Sequence, residues 1–107
     1  MGMRFKSLLI LPLLVASLQA ASVDDLTFTL NDAGTKYSVS YCDQNASGSL
    51  EIPSTYNGFP VTSIRGDAFY NCSSLTSITL PDSVTSIGEG AFDSCASLSS
   101  ISIGNGV

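Results

Sequence analysis

The sequence predicts a β-dominated solenoid of stacked 23-residue coils, preceded by an antiparallel β-hairpin. Three observations carry that prediction. Residues 61–83 (VTSIRGDAFYNCSSLTSITLPDS) run without a gap into residues 84–106 (VTSIGEGAFDSCASLSSISIGNG), and these two 23-residue units agree at 11 positions. A fixed period in the low twenties marks a fold in which each unit is one coil that buries its apolar face on the next. The shared positions are mostly apolar or small, as in Val61/Val84, Ile64/Ile87, Phe69/Phe92, Cys72/Cys95, Leu75/Leu98 and Ile78/Ile101, so the repeated feature is a core pattern. Ahead of the repeats, LTFTL (26–30) and KYSVSY (36–41) alternate apolar and polar residues around NDAGT, a loop rich in turn formers.

Taken in order, the chain opens with Arg4 and Lys6, then the apolar run SLLILPLLVASL (7–18), then Ala20, Ala21 and Ser22. Charged, apolar and small residues in that order make a secretory signal peptide over residues 1–20. The run is short for a membrane span and Pro12 weakens it further, so a retained anchor is the lesser reading. Cleavage near 20–22 fits, with the cut after Ala20 and the cut after Ser22 both open. Export of this kind places the protein outside the cell or on its surface.

Loss of the leader leaves only Lys36 and Arg65 against all nine acidic residues, a net charge near −7. Such a surface repels phosphate backbones and anionic lipid, which argues against nucleic-acid partners and against membrane insertion after processing. The remaining stretch is small for a stable core.

Residues 23–49 form the N-terminal cap. The hairpin covers the open edge of the first coil, whose unpaired strand groups would otherwise invite aggregation, and Phe28, Leu30, Val39 or their neighbours pack on it. Residues 50–107 form the repeats. Leu50-Glu51-Ile52-Pro53 matches Ile78-Thr79-Leu80-Pro81 at an offset of 28, so a lengthened first coil (50–60) holds its extra residues around the turn-forming Asn57-Gly58. The full repeats are 61–83 and 84–106, and the regular second copy implies that the chain is truncated at its C-terminus.

Within each repeat, Leu75, Ile78 and Leu80 point inward while Ser77 and Thr79 alternate outward. Pro81 ends that strand. Val84 and Ile87 give a second short strand on the other wall, and residues 88–95 turn the corner as a helical turn with Ala91, Phe92 and Cys95 inside. The expected repeat core is Val61, Ile64, Phe69, Cys72, Leu75, Ile78, Leu80, Val84, Ile87, Phe92, Cys95, Leu98, Ile101 and Ile103.

LTSITLPDSVTSIGEGAFDSC, with its leucine frame, its proline after the strand, its IGEGAF block and its cysteine, resembles the BspA-type leucine-rich repeat family of surface and secreted proteins. The resemblance covers residues 50–107 closely, and the hairpin is similar to the cap that precedes such repeats. It implies a right-handed leucine-rich-repeat solenoid with a parallel sheet, and non-enzymatic roles in adhesion or in binding host and matrix proteins.

The chemistry-bearing residues agree with a non-catalytic reading. The chain has no histidine, which removes Ser-His-Asp and Cys-His catalysis and the usual zinc sites. Asp67, Asp82, Glu89 and Asp93 fall in turns, and neither a converging carboxylate pair nor a calcium loop is present. No cofactor or metal is expected. Cys72 and Cys95 stack one coil apart, where parallel Cβ vectors stand about 4.8 Å apart, beyond the usual disulfide range, so both read as buried thiols. A bridge from Cys42 to either stays open. Asn45-Ala46-Ser47 and Asn71-Cys72-Ser73 fit the N-glycosylation triplet. Outward Ser77, Thr79, Ser100 and Ser102 form a polar ladder, the candidate binding face for a protein or glycan. The uncapped last coil offers a route to self-association.

Overall fold

The computed structural model describes residues 20–107; the signal peptide expected over residues 1–20 lies, Ala20 apart, outside the described residues. After a single 3-10 turn at Val23–Asp25, the elements are all strands: β1 (Leu26–Leu30), β2 (Tyr37–Cys42), β3 (Gly48–Glu51), β4 (Thr55–Tyr56), β5 (Phe59–Ile64), β6 (Leu75–Thr79), β7 (Ser86–Ile87) and β8 (Ser100–Ser102). They form two walls. One is a parallel three-stranded sheet in the order β3-β6-β8. The other is mixed: β1 is antiparallel to β2, β2 is parallel to β5, and β5 carries both the antiparallel β4 and the parallel β7.

The hairpin β1–β2 forms where the alternating segments predict it, with Leu30 opposite Tyr37 and Phe28 opposite Val39. Asn31 closes its loop, its side-chain oxygen accepting from the backbone N–H groups of Thr35 and Lys36. The hairpin also does more than cover an edge. Strand β2 is itself the first rung of the mixed wall, setting Ser38 beside Ser63 and Val39 beside Ile64. Val39 is fully buried and Phe28 packs on the core, whereas Leu30 is 40% exposed on the outer strand.

The extra residues of the lengthened first coil make a second hairpin. Thr55 pairs with Pro60 and Tyr56 with Phe59, across Asn57 (φ 50°) and Gly58 (φ 86°). Two positive φ angles in a two-residue loop belong to the type I′ turn, whose twist matches that of the flanking strands. Phe28 stacks on Tyr56 at 4.0 Å between ring centroids, and Tyr37 meets Tyr56 edge-on at 5.1 Å, which ties the two hairpins together.

The corners are not helical. Turn bonds recur instead at three-residue reach, from Ala68 N–H to Arg65 O, Cys72 N–H to Phe69 O, Ala91 N–H to Gly88 O and Cys95 N–H to Phe92 O. Asp67 (φ 60°) and Asn71 (φ 60°) break the helical path in one repeat, and Gly90 (φ 69°) and Ser94 (φ 62°) break it at the equivalent places in the next. Backbone bonds between coils hold these corners in register, as from Phe69 N–H to Ala91 O at 2.8 Å and from Asn71 N–H to Asp93 O at 2.9 Å.

Between the walls lies one apolar core. Val61, Ile64, Phe69, Cys72, Leu75, Ile78, Leu80 and Val84 are buried there with Leu50, Ile52 and Cys42, and no polar or charged side chain is buried among the described residues. Ile87, Phe92, Cys95 and Leu98 pack against it while staying half-buried. Ile101 and Ile103 depart from the expected core: they are 37% and 53% exposed. Ile101 continues the inward column of Leu50 and Ile78, and Ile103 holds the repeat position of Leu80, but β8 is the outermost strand of its sheet, so no further rung covers them.

Candidate functional site

The parallel wall lays its outward side chains in two straight rows. Parallel pairing sets Ser49 beside Ser77 and Ser77 beside Ser100, and likewise Glu51 beside Thr79 and Thr79 beside Ser102. Between the rows, Leu50 and Ile78 anchor their strands in the core, and Ile101 pairs with Ile78 at the last rung. Because side chains alternate along a strand, burying that middle column forces its neighbours out. Thr79, Ser100 and Ser102 are exposed, as are Ser49 and Glu51, while Ser77 is half-buried. The Ser77 hydroxyl donates to the Ser49 hydroxyl at 2.9 Å.

The four residues singled out by the repeat pattern thus share one face, and Ser49 and Glu51 extend it by one rung. Those two escaped the pattern because the first coil is longer. The match of Leu50-Glu51-Ile52-Pro53 to Ile78-Thr79-Leu80-Pro81 carried the signal, since it aligns Ser49 with Ser77 and Glu51 with Thr79. Glu51 is the one ionisable group of this six-residue face. A face of hydroxyls donates and accepts hydrogen bonds in either direction.

A second ladder runs along the mixed wall. The Ser38 and Ser63 hydroxyls lie 2.6 Å apart and half-buried, and Ser63 pairs on its other side with Ser86. The Thr29 hydroxyl donates to that of Ser40 at 2.9 Å. The Ser38–Ser63 contact joins the hairpin to the repeats, and the Thr29–Ser40 bond ties the hairpin's own strands together.

The three cysteines are free thiols. Cys42 and Cys72 are buried; the Cys72 thiol points at the carbonyls of Cys42 (3.6 Å) and Asp43 (3.8 Å), and the Cys42 thiol also reaches the Asp43 carbonyl at 3.6 Å. Burial pushes the ionisation of Cys42 far up from the usual thiol range, reinforced by the neighbouring Cys72. Burial raises Cys72 as well, partly opposed by its hydrogen bond with Cys42. Cys95 is half-buried and donates to the Phe69 carbonyl at 3.0 Å; burial raises it too. Thiols held in this way are poor nucleophiles and poor metal ligands. Among the described residues no group of three or more His, Cys, Asp or Glu side chains is placed to hold a metal ion.

The family model for the BspA type leucine rich repeat region (6 copies) matches residues 36–107. The chain belongs to this family. The matched span begins inside the hairpin, at the strand that serves as first rung of the mixed wall. No match is found among the curated proteins. Among solved structures, this BspA-type chain is similar to a leucine rich repeat protein of T. pallidum, at 28% identity and a TM-score of 0.75 over 83% of this chain and 41% of that one. It is similar to a leucine-rich repeat protein from Bacteroides capillosus, at 35% identity and a TM-score of 0.66 over 77% of this chain and 63% of that one. A leucine rich cell surface protein from Faecalibacterium prausnitzii matches at 31% identity and a TM-score of 0.62, over 83% of this chain and 24% of that one. The chain therefore spans less than two thirds of the length of each of these relatives. The family is associated with cell-surface proteins and is generally non-catalytic.

Proposed function

We propose that the chain is an exported, non-catalytic BspA-type module that holds a protein or glycan partner on the outer face of the β3-β6-β8 sheet, outside the cell or on its surface. The observation that carries this reading is the pair of straight rows Ser49–Ser77–Ser100 and Glu51–Thr79–Ser102, held by parallel pairing on either side of the column Leu50–Ile78–Ile101. A rigid face loses little conformational freedom when a ligand docks, so modest hydrogen bonds add up to useful affinity. The cell-surface relative from Faecalibacterium prausnitzii supports the location.

The test is retention of surface, matrix and glycan material on the immobilised processed chain. Arginine at Thr79 and Ser102 together adds bulk and charge to one row without touching the core. A partner lost at least tenfold by that double variant supports the face; a partner retained equally well moves the site elsewhere.

The alternative is a structural spacer with recognition held by other coils. It is favoured by the small share of the solved relatives that this chain spans. A spacer retains nothing above background. Immunoblotting of cell, surface and medium fractions locates the native protein under either reading. Self-association through β8 and the exposed Ile101 and Ile103 belongs to the same proposal, since an unpaired strand edge beside apolar side chains templates further pairing.

A further inference from the structure

The residues on either side of the two possible leader cuts have unequal places in the fold. Ala20 is exposed. Ala21 is half-buried against the core, and its N–H donates to the Ser47 carbonyl at 2.7 Å. Ser22 caps the turn at Val23–Asp25 in both directions. Its hydroxyl accepts from Asp24 N–H at 3.3 Å, while its own N–H donates to an Asp25 carboxylate oxygen at 2.9 Å. The turn is fastened in addition by Asp43 N–H, which donates to the Asp25 carbonyl at 2.8 Å. Residues 21–25 are thus stitched to the loop at 43–47. A cut after Ser22 would remove both the cap and the Ala21–Ser47 bond; a cut after Ala20 removes neither.

We propose that the export leader is cleaved between Ala20 and Ala21, so that the mature chain begins at Ala21. The proposal rests on the reading of residues 1–20 as a removable leader. The cleaving enzyme is a signal peptidase, which prefers small residues one and three places before the scissile bond. A cut after Ala20 has Ala20 and Leu18 there and a cut after Ser22 has Ser22 and Ala20, so the fold, not the motif, selects the first. Water supplies the co-reactant. The bond from the Ala20 carbonyl carbon to the Ala21 nitrogen breaks, the hydroxyl of water joins the carbon, and the two protons released move to the nitrogen. The leader leaves as a carboxylate, and the mature chain gains an α-ammonium.

That new cation arises in a fitting place. The Ala21 nitrogen already donates to a carbonyl, and a charged donor strengthens such a bond. The cavity beside it is lined by Asp24, Asp25 and Asn45 together with Ser47. Processing after Ala20 therefore sets one positive charge among carboxylates in a chain that otherwise keeps only Lys36 and Arg65.

The full 107-residue chain, expressed in a host that exports it, tests the proposal by intact mass and N-terminal sequencing of the exported protein. The expected product starts at Ala21. A product starting at Val23 overturns the proposal and leaves the export reading standing. A chain that stays in the cells and still starts at Met1 overturns the export reading and this proposal with it. Two variants sharpen the result. Ala20→Tyr should block or shift processing, because the bulky side chain precedes the cut, while Ser22→Tyr should leave the start at Ala21. The reverse pattern assigns the cut to Ser22 and overturns the proposal.

Discussion

Gly88 packs against Gly66 of the preceding coil so closely that a methyl group at Gly88 would stand 2.7 Å from the Gly66 Cα. Both neighbours at this contact are backbone, which cannot swing aside. Gly88→Ala should therefore force the coils apart at the corner, lowering stability by about 2–4 kcal/mol, in the range of severe overpacking. Gly58→Ala is the contrast. Nothing lies within 4 Å of its added carbon, but its φ of +86° is unfavourable for any side chain. That substitution should cost only about 1–2 kcal/mol. Denaturant titration of both variants ranks the two mechanisms, and equal losses would show that stacking adds nothing to strain.

Phe69 and Phe92 stack across successive coils at 5.2 Å, with planes inclined by 14°. Phe69 is fully buried and Phe92 only half-buried. Phe69→Ala should cost about 3–5 kcal/mol, which in a chain of this size is enough to unfold it. Phe92→Ala should cost roughly half as much, because part of its ring already meets water. Thermal melting followed by circular dichroism would separate them. A Phe92 variant as damaged as the Phe69 variant would mean that the last coil contributes more than its burial implies.

The raised thiols link stability to alkaline pH. Cys42 and Cys72 ionise above the ordinary thiol value of 9.0 when folded, so the unfolded chain releases their protons first. Between that value and the folded ones, the unfolded state binds fewer protons, and stability falls as pH rises. Below pH 9 the contribution is fully present. Urea unfolding of the wild type should therefore weaken above pH 9, more steeply than that of the Cys42→Ala, Cys72→Ala double variant. Identical slopes would show that the two thiols are not the titrating groups. Native thiols should also resist alkylation at pH 8 until denaturant is added.

The two hydroxyl ladders should respond differently to alanine. Ser63 shares a half-buried contact with Ser38, and Ser63→Ala leaves that partner short of water, at a cost of about 1–2 kcal/mol. Ser77→Ala removes an exposed bond to Ser49 and should change stability by less than about 0.5 kcal/mol. The same Ser77 change should weaken partner binding. Loss of stability without loss of binding at Ser77 would make the parallel face a scaffold.

Charges at the last rung give the remaining test. Ile101→Lys with Ile103→Lys places like charges beside the open strand edge, a common natural guard against edge pairing. Sedimentation should show concentration-dependent association for the wild type and a monomer for the double variant. A monomeric wild type at the highest concentration would sink the association proposal.

The sequence revealed the first hairpin and the 23-residue rhythm because both rest on hydrophobic periodicity, at Leu26–Leu30 and along Leu75, Ile78 and Leu80. It did not reveal that β2 doubles as a parallel rung. Tyr37, Ser38 and Val39 pair with the repeats through a shift in register, and no fixed spacing marks them. The helical turn expected at each corner failed for a local reason. Asp67, Asn71 and Ser94 suit a helix or a left-handed turn equally well on composition, and the stacking of neighbouring coils chooses the turn. Ile101 and Ile103 carried the correct pattern for a core column, yet burial depends on a neighbour that a pattern does not contain. On the candidate face, Ser77, Thr79, Ser100 and Ser102 were legible because alternation around Ile78 and Ile101 pushes them outward. Ser49 and Glu51 were obscured by the lengthened coil.

The antiparallel turn between β1 and β2 gives the fold a direction. A strand laid in parallel finds a matching lane beside β7 or β8, whereas the lane beside β1 runs the opposite way. Duplication or deletion of 23-residue units among the repeats changes the length of the stack without disturbing the seat of Phe28 on Tyr56. The reach of such a stack can therefore change as storeys are added to a tower, on a foundation that stays as it is.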